Sequence, residues 1–244
     1  MPYYYGYGDF LANNIYCILL IPVMLLSLLA QFQVSGNFRR YSAQRSHRGL
    51  TGAQAAEAVL RSHGVYDVNI RPCRGSLTDH YDPRDNTIYL SENVYAAPTI
   101  AAVGVACHEA GHAVQYAVGY GPVRLRQAII PVTQLGSKFS FILLLAGMFL
   151  YSQTLFLVGI LLFSLTTVFQ LVTLPVEFNA SHRAIETIES QYLLEDDEVY
   201  GAKKVLRAAA LTYVAALLMS ALQLLRFVLI FLGRNGNRRG GGRE

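Results

Sequence analysis

A chain of 244 residues with 53% hydrophobic and only 15% charged side chains is too apolar for an ordinary soluble globule, and its long uncharged runs place it among membrane proteins. The net charge of +4 is small, and with no basic stripe interleaved with aromatics it excludes a nucleic-acid surface. Three cysteines, Cys17, Cys73 and Cys107, are too few and too scattered for a disulfide framework.

Taken in order, the chain falls into six parts. Residues 1–34 hold a Tyr- and Gly-rich opening, suited to the headgroup level of a bilayer, and a first apolar span from Ile15 to Val34. That span lacks a basic leader and a small-residue cleavage site, so it reads as retained rather than as a signal peptide. Arg39, Arg40, Arg45 and Arg48 follow it and Asp9 precedes it; the positive-inside rule therefore sends the following region to the cytoplasmic side.

Residues 35–127 form the one sizeable soluble region. Thr51 to His63 has the pattern of an amphipathic helix capped by Thr51 and stopped by Gly64. Val68–Arg71 and Thr87–Leu90 read as strands, with turn chemistry from Asp82 to Asn86. Pro98 and Thr99 then start a helix that runs to Val118. Residues 128–176 are expected to be a transmembrane hairpin, Ala128–Tyr151 and Leu155–Pro175, linked by Ser152-Gln153-Thr154. Lys138 within it must snorkel or face protein. Residues 177–204 comprise a helical run from Val176 to Glu189 and an acidic cluster, Glu195 to Glu198, that reads as a solvated loop or helix start. Residues 205–232 are a last apolar helix, and 233–244 a basic, glycine-rich tail with the composition of a disordered segment. The expected fold class is a mainly α membrane protein with about four transmembrane helices and a small α+β, zincin-like region. A plasma (inner) membrane setting, multi-pass, is the expectation that goes with it.

The chemistry concentrates in His108-Glu109-Ala110-Gly111-His112. Positions four apart share a helix face, so His108 and His112 can present two imidazoles to one point. Two neutral imidazoles suit Zn²⁺, and a catalytic zinc takes three protein ligands plus a water. Glu109 stands where a carboxylate reaches that water as general base and later hands the proton to the leaving amine. A charged residue in so apolar a helix is costly without such a purpose. Cys107 points about 100° around the helix from His108 and reads as a small core residue.

Between His112 and Val176 there is no His, Cys, Asp or Glu. The third ligand of a metzincin would be a His at Val118, and that of a thermolysin-like enzyme a Glu about twenty residues on; neither exists. The first downstream candidate is Glu177, which a two-span hairpin returns to the side of the histidines. Its alternative role is a helix-start carboxylate favoured by the macrodipole. Asp79, His80 and Asp82 form a competing set, with His182 as an outsider. Ser181 or Asn179 are candidates to hold the ligands by hydrogen bonds. His80 and Tyr81 are candidates to stabilise an oxyanion, or are simply a polar pair beside a turn. Residues 87–91 are expected either to be the cleft-edge strand to which an extended peptide adds, or to pack on the helix.

Leu77-Thr-Asp-His-Tyr-Asp-Pro83, Leu90-Ser91, the helix around His108–His112 and Leu174-Pro-Val-Glu177-Phe together resemble the neutral zinc metallopeptidase family (YugP type) of membrane proteins. The resemblance covers most of residues 10–230. The family is similar, more distantly, to membrane zinc proteases with a third-ligand Glu in an E-[FY]-x-A-D context; here that reads Glu177-Phe178-Asn179-Ala180-Ser181, with Ser181 at the Asp position.

These features point to a membrane-embedded zinc metalloendopeptidase of gluzincin type. His108, His112 and Glu177 are its expected Zn²⁺ ligands, Glu109 its base, and a peptide or membrane-protein segment its substrate. The active site is expected to face the cytoplasm. The rival from another class is a catalytically silent membrane scaffold with a structural zinc. An ion transporter is disfavoured by spans almost free of carboxylates and histidines.

Overall fold

The computed structural model describes residues 7–240, with side chains from Tyr16 to Gly233. The opening through residue 6 and the tail from residue 241, for which an interfacial lead-in and disorder are expected, lie outside the described residues. The elements are α1 (Tyr7–Ser42), α2 (Gly52–Ser62), β1 (Asn69–Cys73), β2 (His80–Asp82), β3 (Thr87–Ser91), α3 (Glu92–Tyr95), α4 (Ile100–Ala117), α5 (Gly121–Phe149), α6 (Gln153–Ser190) and α7 (Asp196–Gly240). Among the described residues, four helices are long and apolar enough to cross a membrane: Tyr16–Ser42, Gly121–Phe149, Gln153–Ser190 and Asp196–Gly233.

One compact unit comprises Met1–Leu28, Arg126–Val172 and Val214–Glu244. Its helices meet through small residues and aromatic edges. A Cβ on Gly159 would stand 2.8 Å from Leu144, and one on Gly147 2.4 Å from the backbone of Phe156, so glycine lets α5 and α6 approach closely. Phe156 and Phe163 each present their rings edge-on to Phe227 of α7. Tyr16 donates to Gln223 (2.8 Å) and lies under the Arg226 guanidinium. Lys138 is exposed, which removes the option that it faces protein. The hairpin link is Leu150–Ser152 rather than Ser152–Thr154. The Ser152 hydroxyl accepts from Leu155 N–H and so caps α6, drawing Gln153 and Thr154 into the helix.

The second unit comprises Leu29–Leu125 and Thr173–Tyr213. The expected α2 is present, with a reciprocal capping box between Thr51 and Gln54 and Gly64 at φ +71° just past its end. The sheet has three strands in the order β1-β3-β2. β3 pairs in parallel with β1, Asn69 opposite Thr87, and antiparallel with β2, His80 opposite Tyr89. This overturns the cleft-edge option for residues 87–91: both edges of β3 are already hydrogen-bonded, and Ile88 and Leu90 are fully buried. The outer strands are β1 and β2, and β2 is formed by the stretch read above as a polar pair beside a turn.

α4 carries the core of this unit, packed among Val59, Leu60, Ile88, Leu90, Val94, Ile188 and Leu206. Its start is fixed by Thr99, whose hydroxyl accepts from Ala102 N–H, and by Ile100 N–H donated to the Gln44 carbonyl. Two glycines set its crossings. Gly104 faces Ala202 of α7, where a Cβ would lie at 3.3 Å, and Gly111 faces Ala180 of α6. α6 runs unbroken through Pro175, so the separate helix expected from Val176 does not exist. Thr173, Val176 and Glu177 are all buried, and tertiary packing here outweighs the one hydrogen bond that proline removes. The acidic cluster supplies the first turn of α7, whose N-terminal end favours negative charge. Glu198 is buried there and accepts from the backbone N–H of His47 (2.8 Å) and of Glu195 (2.9 Å). The α7 backbone extends helically into the expected tail, to Gly240, since elongating an existing helix needs no new nucleus.

Candidate metal centre

α4 places His108 and His112 one turn apart on a single face, their rings edge to face at 4.7 Å. α6 brings Glu177 against them. Its Oε2 lies 3.4 Å from His108 Nε2 and 3.5 Å from His112 Nε2. One ligand atom from each of the three side chains falls within 4.8 Å of the others. This approach depends on Gly111, because any side chain there would meet the Ala180 backbone one turn beyond Glu177. Because α6 is continuous, Glu177 sits mid-helix, and the reading of it as a helix-start carboxylate loses its basis.

The outer nitrogens of the two rings are also occupied. His108 Nδ1 is 3.1 Å from Ser181 Oγ. His112 Nδ1 is 3.1 Å from Gln115 Oε1. With Nδ1 engaged on each ring, the Nε2 atoms converge on the carboxylate, a donor set of two imidazoles and one carboxylate that fits Zn²⁺. Burial alone pushes the His112 imidazolium down. The hydrogen bond and charge of Glu177, helped by Glu109 and Gln115, outweigh that and leave it above its ordinary value. Glu109 lies on α4 between the two histidines and is 8% exposed.

The competing ligand set is elsewhere. Asp79 accepts from Ser91 N–H (2.7 Å) and from the Ser91 hydroxyl. Asp82 is clasped by Arg84, whose hydrogen bonds hold its carboxyl down to about 2. His80 stacks on Tyr89 and bonds the Thr78 carbonyl through Nδ1. His182 is exposed and outside the cluster. Tyr81 donates its hydroxyl to Asn86 (2.7 Å), while its ring meets Tyr116 of α4 at 5.4 Å. Cys107 is buried in the core, which pushes its thiol far up, and it takes no part in the cluster. Sequence reasoning missed Gln115. The only signal in the sequence was an amide side chain three residues past His112 in an otherwise apolar helix; its complete burial is a finding of the structure.

Comparison with known proteins adds two findings. The family model described as "Putative neutral zinc metallopeptidase" matches residues 16–232. The chain is 49% identical over 224 residues to the "Putative membrane protease YugP" of Bacillus subtilis (strain 168), covering 91% of this chain and 100% of that protein. No solved structure matches.

Proposed function

The chain belongs to the neutral zinc metallopeptidase family and is a multi-pass membrane protein, and we propose that it is an endopeptidase of gluzincin type. His108, His112 and Glu177 hold the zinc, and Glu109 is the general base. The observation that carries this reading is the convergence of two Nε2 atoms and one carboxylate oxygen, 3.4 and 3.5 Å apart, one residue from a second carboxylate.

Zinc, when bound, polarises a peptide carbonyl and lowers the pKa of a water towards ~7. The protein's own residues do the rest. Glu109 takes a proton from the water that attacks the scissile carbonyl, holds it on its carboxylate, and delivers it to the amine nitrogen as the C–N bond breaks. Burial strengthens each of these charge interactions. Ser181 keeps His108 aligned by its contact with Nδ1. The outer edge of β2, on the strand that packs against α4 through Tyr81, is where an extended peptide chain adds. The substrate is a peptide or membrane-protein segment, and Arg39, Arg40, Arg45 and Arg48 support an active site on the cytoplasmic side of the membrane.

The test is zinc content and casein cleavage by the detergent-purified protein beside Glu177→Ala and Glu109→Gln. About one zinc per chain is expected in the wild type. Glu177→Ala should lose it; Glu109→Gln should keep the metal and lose cleavage. Full zinc in Glu177→Ala removes Glu177 from the ligand set. Undiminished cleavage by Glu109→Gln removes the base and leaves a structural zinc as the better account.

A further inference from the structure

The second histidine is held by a chain of hydrogen bonds that determines which of its nitrogens carries the proton. The chain begins at Arg183 of α6, a guanidinium that can only donate. Its Nε is 2.9 Å from the side chain of Asn179, so the atom facing it is the amide oxygen, Oδ1. That oxygen also lies 3.0 Å from Gln115, which must therefore present its nitrogen there. The same Nε2 is 2.8 Å from the Val176 carbonyl, a second group that can only accept. Both amide protons of Gln115 are thus committed to α6, and its remaining atom, Oε1, faces His112 Nδ1 at 3.1 Å. An amide oxygen can only accept, so His112 Nδ1 bears hydrogen, and in the neutral ring that binds a metal the lone pair is left on Nε2.

We propose that Gln115 is the positioning residue of the metal centre, fixing the His112 tautomer and tying α4 to α6 beside Glu177. This rests on the reading of His112 as a ligand through Nε2. Gln115 is completely buried, so each of its three polar contacts would be costly to leave unmade. An amide is also the one neutral group of this length able to accept from an imidazole and donate twice to a neighbouring helix. The arrangement explains why a polar side chain occupies the core face of α4 where Val114 and Ala113 are otherwise apolar neighbours. It also means that Gln115 joins the two elements that must not separate if three ligands are to meet.

The experiment uses the full chain in detergent. Zinc dissociation constants come from chelator competition for wild type, His112→Ala, Gln115→Met and Gln115→Glu. Nitrogen NMR of ¹⁵N-histidine-labelled, zinc-loaded wild type reports which His112 nitrogen bears hydrogen. Gln115→Met conserves length and burial but removes the contacts, and should weaken zinc about 10- to 100-fold. Gln115→Glu keeps an acceptor for Nδ1–H but turns its second oxygen against the Val176 carbonyl and Asn179 Oδ1, so it too should bind zinc more weakly than wild type. The wild-type spectrum should show Nδ1–H on His112. Zinc affinity of Gln115→Met within about twofold of wild type, with His112→Ala unable to bind, overturns the inference while sparing the ligand assignment. Unimpaired binding by His112→Ala overturns the ligand assignment itself. Should Gln115→Met not fold, the wild-type spectrum still decides: hydrogen on Nε2 of His112 refutes the tautomer.

Discussion

Gly111 of α4 lies directly against Ala180 of α6: a Cβ on Gly111 would stand 2.6 Å from the Ala180 carbonyl oxygen and 3.2 Å from its carbon. Backbone cannot yield as a flexible side chain can, so the two helices would have to part. Glu177 is three residues before Ala180 and would withdraw from both histidines. Gly111→Ala is therefore expected to destabilise the fold by about 1–3 kcal/mol and to lower zinc occupancy, read by thermal unfolding and metal analysis together. Wild-type values in both would show that α6 can shift without moving the site.

Ser181 stands 3.1 Å from His108 Nδ1. Removing the hydroxyl in Ser181→Ala should weaken zinc binding about 10-fold or more, the scale seen when such outer hydrogen bonds are lost. Ser181→Asp should bind zinc at least as tightly as wild type, because a carboxylate at that nitrogen raises the basicity of the ring. Chelator competition measures both. An affinity order of Ala above Ser would contradict the orienting role.

Asp79 was a rival ligand on sequence grounds, yet its carboxylate is engaged by the buried Ser91. Asp79→Ala should leave zinc stoichiometry unchanged and cost about 1–3 kcal/mol through the unsatisfied Ser91 N–H. Denaturant unfolding and metal analysis separate the two effects. A loss of zinc without loss of stability would restore Asp79 to the metal site.

Tyr81 carries the pH prediction. Burial, with the neighbouring Tyr116 phenol as it ionises and the carboxylates of Asp67, Asp82 and Asp85 around it, pushes its phenol up to about 12 from an ordinary 10.0. The folded state thus prefers the neutral phenol. Its contribution to stability is fully present below pH 10.0 and is lost as pH rises towards 12. An ultraviolet titration should show one late-ionising tyrosine that disappears in Tyr81→Phe, and the variant should lose stability less steeply over that interval. An unchanged titration curve would remove Tyr81 as the source.

Much of this architecture is legible in the chain because it depends on local, one-dimensional patterns. Long uncharged runs give the membrane helices, since a bilayer accepts little else. The Thr51 and Thr99 caps are stated by residues within one turn of the helices they start. The spacing of His108 and His112 follows from the helix repeat alone. Glu177 could be singled out because a barren stretch of more than sixty residues left no nearer acid, and the fold brings it to the histidines.

What the tertiary structure alone decided involves partners distant along the chain. The pattern of Thr87–Ser91 marks a buried strand but cannot say that both its edges are taken, because pairing with Asn69–Cys73 and His80–Asp82 is a matter of long-range register. Pro175 predicts a break from its missing N–H, and packing of Thr173, Val176 and Glu177 overrides it. Gln115 is an unremarked polar residue until α6 supplies Val176 and Asn179 as acceptors. Periodicity fixes which face a side chain occupies. Only the crossing of two helices at a glycine fixes what that face meets, because backbone hydrogen bonds and close contacts are satisfied between elements, not within them.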